Sequence, residues 1–590
     1  MEPVTLTRGV RCKASRQAVW EHVSDTLRLN RAISNSTLDV KKRETTGLER
    51  FELRGRIGGI PVTYVEQPFS WTVGEYFSFY RVFVGGPARS VATRYDLSDV
   101  PDGPGCDVTV RIDVMPASAI FRPLVWFATR RSIEGLASYI ASVDDDERKT
   151  VVSRLDRDAL ATAVKRVGTK FPPELVSRLA DHLAAADDFD LAPIRPFALA
   201  GVWGVDRFQL LRLCLESVPA GLLELRWGLM CPSCQTAAST IASLRELDGG
   251  AHCHACDLRY DTDLDRAVEA QFSPHPSVRA VDFRPYCIGG PALTPHVLAQ
   301  VPVDVDAEGT LEAPETEGRT RLFVRGGAIA SVEVVRDAPE SVRFRIGAKD
   351  VTPAQVSVAP GGAIHVENRS GEGRHVKLER TSVTTDAATA HHVATMPEFR
   401  PLFGAEALRP GLALRVAHVA ILFSDLCGST ALYSRVGDAE AFGLVTDCLT
   451  FGTEIVERRG GTVVKTIGDA VMAAFCDSRA AVAAAVEMLT RWSAFASEHP
   501  TAKSLDLKIG VYDGACTIVT ANGAVDYFGQ TVNRAARVQH LAGPREVVIA
   551  ADLVEVLPEG APVDAGETFE ATVKGIDEPL RLKRIRPRTT

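Results

Sequence analysis

Two aspartates stand where they could bind a divalent metal ion together. Asp425 follows the apolar run 417–423, which predicts a buried strand, and Asp469 lies in the turn of TVVKTIGDAVMAAF, which predicts a hairpin of two strands. Both carboxylates can therefore converge at one edge of a sheet, where rigid strands hold them. Paired hard oxygen ligands of this kind suit Mg²⁺ or Mn²⁺ bound together with substrate phosphates. The pair indicates metal-assisted phosphate chemistry.

Other residues could hold a phosphate group without the usual nucleotide-binding loops. The turn after the first aspartate contains Gly428, Ser429 and Thr430, which open a predicted helix and offer its N-terminal N–H groups to an anion. Asn533 and Arg537 are four residues apart on one predicted helix face, from which an arginine can brace a phosphoryl group in the transition state. The sequence contains no Walker-type phosphate loop and no kinase-type glycine-rich loop.

Two cysteine pairs predict a second, structural metal site. Cys231 and Cys234 in CPSC are separated by 18 residues from Cys253 and Cys256 in CHAC, a spacing typical of a zinc ribbon. Four thiolates would close the coordination shell of one Zn²⁺ ion, so that the metal stabilises the fold and performs no chemistry. His254 is an alternative ligand within the second pair. A redox role would need only one CxxC pair, so the presence of two favours zinc.

The composition excludes several classes of protein. With 45% hydrophobic and 24% charged residues, the chain is neither disordered nor embedded in a membrane. Its most apolar long stretch, 117–140, contains charged residues and a proline, so no transmembrane segment is expected. The net charge of −8 disfavours a nucleic-acid partner, with a zinc module that contacts nucleic acid as the alternative. The N-terminus lacks a secretory signal and the other cysteines are scattered singly, so we expect a cytoplasmic protein.

The chain is long enough for several domains, and its patterning predicts a multidomain α+β protein. The last part follows a βαββαβ order with an antiparallel or mixed sheet, as in ferredoxin-like folds, and includes one long helix over about 430–459. Short valine-rich runs broken by glycine and proline predict a small β-sandwich upstream of it. The predicted domains are an α+β domain (1–145), a helical segment with the zinc ribbon (146–275), the β-sandwich (276–385), a helical connector (386–414) and the C-terminal domain (415–590).

The first domain resembles the START-like helix-grip domains, in which a curved sheet wraps a long C-terminal helix around an apolar cavity. The resemblance rests on the order of the elements and on the segment ASRQAVWEHVSD. It implies a pocket for a lipid-like or aromatic small molecule, with an aromatic core that binds no ligand as the alternative. The segment around the cysteine pairs resembles an uncharacterised middle domain found beside bacterial nucleotide cyclases.

Residues 416–590 resemble the class III nucleotidyl cyclases, the catalytic domains of adenylate and guanylate cyclases. The resemblance rests on SDLCGST, TVVKTIGDAVMAAF, LKIGVYDG, VDYFGQTVNRAARVQHL and TVKG, which follow one another in this order. It implies two Mg²⁺ or Mn²⁺ ions per active site, with Asp425 and Asp469 as their ligands. It also implies that Lys465 and Asp526 read the purine, Asn533 orients the ribose, Arg537 stabilises the pentavalent α-phosphorus and Lys574 holds the β- and γ-phosphates.

The reaction implied by this resemblance is attack of the ribose 3′-oxygen on the α-phosphate of ATP, which forms 3′,5′-cyclic AMP and pyrophosphate. Adenine has an acceptor at N1 and a donor at its amino group, which complement a lysine and an aspartate, whereas guanine reverses this edge. Lys465 and Asp526 therefore favour ATP, with guanylate cyclase as the alternative.

The resemblance also implies a homodimer. In the family, the metal ligands and the base-reading residues of one site come from different chains. A chain that carries both sets is therefore expected to form a head-to-tail dimer with two equivalent sites, regulated by the N-terminal domains. The alternative from another class of function is a ligand-sensing scaffold whose cyclase-like domain is catalytically silent and only dimerises.

Overall fold

The computed structural model describes residues 2–588, apart from 34–35, 44, 50, 58–59, 102, 146–151, 169, 282–283, 382–385, 397, 400–413, 500, 503–504, 522–523, 574–575 and 577. Over these residues the chain is a multidomain α+β protein, as its patterning predicts, and its strands form five sheets. No helix in the described ranges is long and apolar enough to cross a membrane.

The N-terminal part is an antiparallel sheet with a long helix packed across it. Ser15 caps the first helix by accepting a hydrogen bond from the Ala18 N–H. Val110 of β8 is fully buried and packs in one core with Ile133 and Leu136 of α3. The elements are β1 (Val4–Cys12), α1 (Arg16–Val23), α2 (Thr26–Ala32), β2 (Asp39–Lys42), β3 (Phe51–Ile57), β4 (Ile60–Glu66), β5 (Ser70–Thr72), β6 (Tyr76–Phe83), β7 (Ala88–Asp99), β8 (Cys106–Pro116) and α3 (Arg122–Ala141).

Four helices and two hairpins follow. One cysteine pair lies between β9 and β10, which are hydrogen-bonded to each other, and the other begins at the last residue of β11 and continues into the turn before β12. Each pair is therefore at the turn of a hairpin. The elements are α4 (Arg157–Val167), α5 (Pro173–Ala185), α6 (Pro196–Trp203), α7 (Arg207–Ser217), β9 (Leu223–Met230), β10 (Ala237–Ile241), β11 (Gly250–Cys253), β12 (Leu258–Asp261) and β13 (Val268–Pro274).

The next nine strands form two sheets that enclose one core, in which Phe344 and Leu378 from opposite sheets are fully buried. One of these sheets continues into the N-terminal sheet, because Ala299 of β14 pairs with Thr72 of β5. Local alternation along the sequence does not reveal this long-range pairing. The strands are β14 (Val297–Val303), β15 (Glu308–Glu312), β16 (Gly318–Val324), β17 (Ala328–Val334), β18 (Ser341–Ile346), β19 (Val351–Thr352), β20 (Gln355–Val358), β21 (Ala363–Asn368) and β22 (Arg374–Arg380).

The C-terminal part is built on a mixed sheet in the order β24-β25-β23-β26-β28-β30-β29, with β27 paired to β26. The prediction of one helix over 430–459 was wrong. Gly437 has a φ of +83°, in the left-handed region, and separates two helices. The elements are α8 (Ala390–Ala394), β23 (Leu414–Cys427), α9 (Ser429–Val436), α10 (Asp438–Arg458), β24 (Thr462–Ile467), β25 (Ala470–Phe475), α11 (Ser478–Glu498), β26 (Asp506–Ala521), β27 (Ala524–Phe528), α12 (Gln530–His540), β28 (Glu546–Ala550), β29 (Val563–Ala571) and β30 (Leu580–Pro587).

The two faces of this C-terminal sheet are covered differently. α10 and α11 pack on one face, where Leu422 of the central strand is fully buried. On the other face, Ile421 and Met472 belong to the same core as Val393 and Met396, which precede the sheet in the chain. Because side chains alternate along β23, neighbouring residues of one strand join two separate cores.

Candidate active site and metal centre

Asp425 and Asp469 lie at the same edge of the C-terminal sheet. Asp425 is near the end of β23, where Ser424 pairs with Val471 of β25, and Asp469 is in the β24–β25 turn just before that residue. Oδ2 of Asp469 is buried and has no hydrogen-bond partner among the described residues. Since buried polar groups normally have a partner, this oxygen fits the role of a metal ligand. The pairing of β23 with β25 therefore brings both residues to the same end of neighbouring strands.

A lysine that sequence analysis missed lies against these carboxylates. Lys508 faces Asp425 in the register of β26 and β23, and its Nζ is 2.8 Å from Asp425 Oδ2. Burial lowers the pKa of Lys508, but the hydrogen bond to Asp425 and the charges of Asp425 and Asp469 raise it above its ordinary value. Gln539 of α12 donates a longer hydrogen bond, 3.4 Å, to the same oxygen. The signal in the sequence is a lysine within LKIGVYDG, a predicted strand.

The two residues expected to read the purine form an ion pair. Nζ of Lys465, in β24, lies 2.7 Å from Oδ2 of Asp526, in β27. The other oxygen of Asp526 accepts a hydrogen bond of 2.8 Å from the backbone N–H of Tyr527. The Lys465 side chain is 39% exposed and that of Asp526 14%, so a molecule in solvent can reach the lysine end of the pair. Folding of one chain thus brings a donor and an acceptor together from distant strands.

The predicted phosphate turn joins β23 to α9. Gly428 has a φ of +91°, a left-handed conformation that favours glycine, and precedes the first helical residues Ser429 and Thr430. No side chain in the described part of the chain caps this helix, so its first N–H groups can serve an anion.

Asn533 and Arg537 are both exposed on α12, whereas Ala535 and Val538 of the same helix are fully buried. The described contacts include no hydrogen bond or ion pair from either exposed side chain to the carboxylates at the β23 edge. Within one chain, the helix residues Asn533 and Arg537 therefore make no described polar contact with the two aspartates at this edge of the sheet. Lys574, the remaining predicted residue, lies outside the described residues.

The four cysteines of the two hairpin turns form one cluster. The sulfur atoms of Cys231, Cys234, Cys253 and Cys256 all lie within 4.8 Å of one another, and all four residues are buried. None is in a disulfide. Four converging thiols with no other covalent partner fit the tetrahedral shell of a structural Zn²⁺ ion, so the cluster could hold one metal ion.

Two segments of the chain match known families. Residues 413–581 match the adenylate and guanylate cyclase catalytic domain, and residues 156–286 match a family of unknown function, DUF5939. Residues 413–581 are a nucleotidyl cyclase catalytic domain. This domain includes every residue predicted for the nucleotide site, and the second match includes the four-cysteine cluster.

The curated relatives match less than a third of this chain. An uncharacterized protein of Mycobacterium tuberculosis is 34% identical over 158 residues, which are 27% of this chain and 38% of the relative. An adenylate cyclase of Streptomyces coelicolor is 35% identical over 131 residues, 22% of this chain and 32% of that enzyme. Guanylate cyclase 2D of Rattus norvegicus is 27% identical over 195 residues, 30% of this chain and 18% of that enzyme. The chain thus spans 38% of the length of the first of these relatives, and relatives of both base specificities occur.

Proposed function

We propose that this protein is an adenylate cyclase that converts ATP to 3′,5′-cyclic AMP and pyrophosphate at the interface of a homodimer. The observation that carries the proposal is the sheet edge at which Asp425 and Asp469 meet, within a nucleotidyl cyclase catalytic domain. The buried, unpartnered oxygen of Asp469 supports a cation at this edge.

The chemistry divides between metal ions and side chains. Two Mg²⁺ or Mn²⁺ ions held by Asp425 and Asp469 would lower the pKa of the 3′-hydroxyl and neutralise the departing pyrophosphate. Arg537 donates hydrogen bonds to the α-phosphate as charge develops on it, and Asn533 orients the ribose. The N–H groups at the start of α9 and Lys574 hold the remaining phosphates. Lys508, charged and adjacent to Asp425, is positioned to contribute further positive charge.

Asn533 and Arg537 are expected to come from the second chain. Both side chains are exposed on α12, and among the described residues neither makes a hydrogen bond or ion pair with the metal-ligand edge of its own chain. A head-to-tail dimer would apply the α12 face of each chain to the Asp425 edge of its partner and would thereby create two equivalent sites.

Cyclic AMP formation by the purified chain tests this function directly. Incubation with ATP and Mg²⁺ or Mn²⁺ should release cyclic AMP and pyrophosphate in equal amounts. A dimeric, folded chain that forms neither product would contradict the proposal and would favour a silent scaffold.

The ion pair between Lys465 and Asp526 supports ATP over GTP. The lysine can donate to adenine N1 while the aspartate accepts from the amino group, and both partners are already aligned at 2.7 Å. Guanine presents a donor to the lysine and an acceptor to the aspartate, so neither hydrogen bond can form. Each mismatched hydrogen bond costs about 1–3 kcal/mol.

Exchanging these two residues should reverse the base preference. The double variant Lys465→Asp with Asp526→Lys keeps one positive and one negative charge but inverts the donor and acceptor. We expect kcat/KM for ATP to fall at least about 100-fold and the GTP-to-ATP ratio to rise about 10- to 100-fold. Lys465→Ala is the control and should weaken both nucleotides. A folded double variant that still prefers ATP would show that other groups read the base.

We further propose that the N-terminal part is a START-like domain that binds an apolar small molecule and regulates turnover. A cavity of about 780 Å³ between its sheet and α3 supports this assignment. Its lining includes Phe79, Tyr95, Ile112 and Leu136, so most of the wall is apolar. The middle segments, 146–275 with a zinc ribbon, 276–385 as a β-sandwich and 386–414 as a connector, would transmit the effect.

Filling this cavity should weaken the binding of apolar probes. Ile112 is 5% exposed and lines the cavity, so Ile112→Trp would occupy it. We expect the affinity for anilinonaphthalene sulfonate to fall about tenfold with basal turnover unchanged. Ile120→Trp, on an exposed residue outside the cavity lining, is the matched control. Equal probe affinity in both variants would contradict the assignment.

A cytoplasmic location is also part of the proposal. All 12 cysteines are free, which suits a reducing compartment.

A further inference from the structure

The four-cysteine cluster is packed against a sheet from another part of the chain. Gly326, in the β16–β17 turn, donates its backbone N–H to the carbonyl oxygen of Cys256 at 3.0 Å. Lys377 of β22 places Nζ 3.4 Å from the Cys256 sulfur. Arg325 donates to the Asp257 carboxylate at 3.1 Å. The second cysteine pair therefore has backbone, sulfur and carboxylate contacts with this sheet.

The first cysteine pair has a corresponding contact with the same strand. Ser233, which lies inside the CPSC turn, donates its hydroxyl to Glu379 Oε1 at 2.8 Å. Glu379 is fully buried, and its other oxygen accepts a hydrogen bond of 2.5 Å from Arg321. Lys377 and Glu379 are two residues apart and so point to the same face of β22. One strand thus contacts both cysteine pairs.

The net negative charge of a zinc–thiolate centre would explain why Lys377 is buried there. Lys377 is only 4% exposed. Its Nζ lies 5.6 Å from the centre of the Phe323 ring, which packs with the four cysteines. Burial of an ammonium group is costly unless negative charge compensates it. Four thiolates around Zn²⁺ carry a net charge of about −2, which supplies that compensation at a distance of one hydrogen bond.

We propose that Lys377 and Glu379 form the outer shell of the four-cysteine metal centre, so that metal binding and docking of the two cysteine hairpins on β22 are one coupled process. The metal centre then joins two parts of the chain rather than stabilising the hairpins alone. Without the metal, Lys377 would lose its compensating charge, and the contact between the hairpins and β22 would weaken. The proposal is independent of the nucleotide chemistry, because it concerns residues outside the catalytic domain.

Zinc affinity of the full-length chain tests the role of Lys377. Lys377→Met keeps the length and apolar body of the side chain but removes its charge and its donor. In competition with a zinc chelator of known affinity, we expect this variant to bind zinc about 10- to 100-fold more weakly than the wild type, the usual effect of losing an outer-shell partner. Lys349→Met is the matched control, because Lys349 is an exposed lysine of the same β-rich region, and its zinc affinity should be unchanged.

Hydrogen exchange tests the coupling itself. Removal of zinc from the wild-type chain should accelerate amide exchange in β22 (374–380) and in the β16–β17 turn, which are distant in sequence from the cysteines. Lys377→Met should show the same acceleration at zinc concentrations that protect the wild type.

Several results would overturn the proposal. A wild-type chain that binds no zinc would overturn it. So would a folded Lys377→Met variant with zinc affinity within twofold of the wild type, or amide hydrogen exchange in β22 that does not respond to zinc. Should Lys377→Met fail to fold, Ser233→Ala decides, since it removes only the hydroxyl that contacts Glu379. This variant should bind zinc several-fold more weakly, and unchanged affinity would reject the role of β22.

Discussion

Neither Asp425→Ala nor Arg537→Ala should form cyclic AMP above about 1% of the wild-type rate, and an equimolar mixture of the two variants should regain about a quarter of it. In the proposed site the first substitution removes a metal ligand and the second removes the donor to the α-phosphate, each of which costs at least about 100-fold in rate. In a head-to-tail dimer that contains one chain of each variant, both substitutions fall in one site and the other site has neither. Random exchange makes half of the dimers mixed, so about one site in four works.

The control for this experiment is a mixture of Asp425→Ala with Asp469→Ala. Both lesions affect the metal-ligand half of a site, so every dimer formed from these chains contains only damaged sites. This mixture should stay inactive. No recovery in the Asp425→Ala and Arg537→Ala mixture, despite chain exchange measured by labelled subunits, would show that each site is built from a single chain. Recovery in the control would show instead that the two aspartates of one site come from different chains.

Loss of one thiol from the cysteine cluster should have the largest effect on stability. Cys256→Ala removes a metal ligand and leaves three thiols, a site that holds zinc far more weakly. Because zinc contributes about 10–16 kcal/mol of apparent folding free energy in small zinc domains, we expect the segment 223–274 to unfold locally. The measurements are zinc content per chain, which should fall from one to nearly zero, and the rate of limited proteolysis within that segment, which should rise.

Cys448→Ala separates the effect of the metal from that of a lost buried sulfur. Cys448, in α10, is 6% exposed in the core that α10 and α11 form with the sheet, and burial raises its pKa to about 12, so it stays a neutral thiol. Its replacement should cost about 1–2 kcal/mol and leave zinc content at one per chain. Equal zinc content and equal protease resistance in Cys256→Ala and Cys448→Ala would refute a structural metal at the cluster.

The type and local spacing of residues were enough to predict part of the candidate site. Asp425 and Asp469 were predicted from an apolar run that ends in a carboxylate and from a tight hairpin turn. The structure places both at one sheet edge, because strand pairing over a few residues determines their positions. The cysteine cluster was predictable for the same reason: each CxxC pair lies at its own hairpin turn. The resemblance to nucleotidyl cyclases, which rests on five short motifs in order, agrees with the family match of 413–581.

Residues that act through long-range pairing were not predictable in this way. Lys508 is adjacent to Asp425 only because β26 pairs with β23, and Lys377 is adjacent to Cys256 only because two segments 121 residues apart pack together. The sequence around a lysine in a strand does not indicate which group the lysine will pair with, since the Coulomb energy of a pair depends on distance in space and not in sequence. The continuity of the N-terminal sheet with β14 was missed for the same reason.

The sequence by itself predicted the similarity of the C-terminal part to a cyclase catalytic domain, the residue types of the two candidate metal sites and most of the order of helices and strands, because each of these depends on short stretches of sequence. Only the tertiary structure decided which cations face the carboxylates and thiols, and which surface of α12 is exposed. The physical reason is that many chain foldings satisfy the same local patterns, while the burial of charged groups is tolerated only in those that also bring opposite charges together.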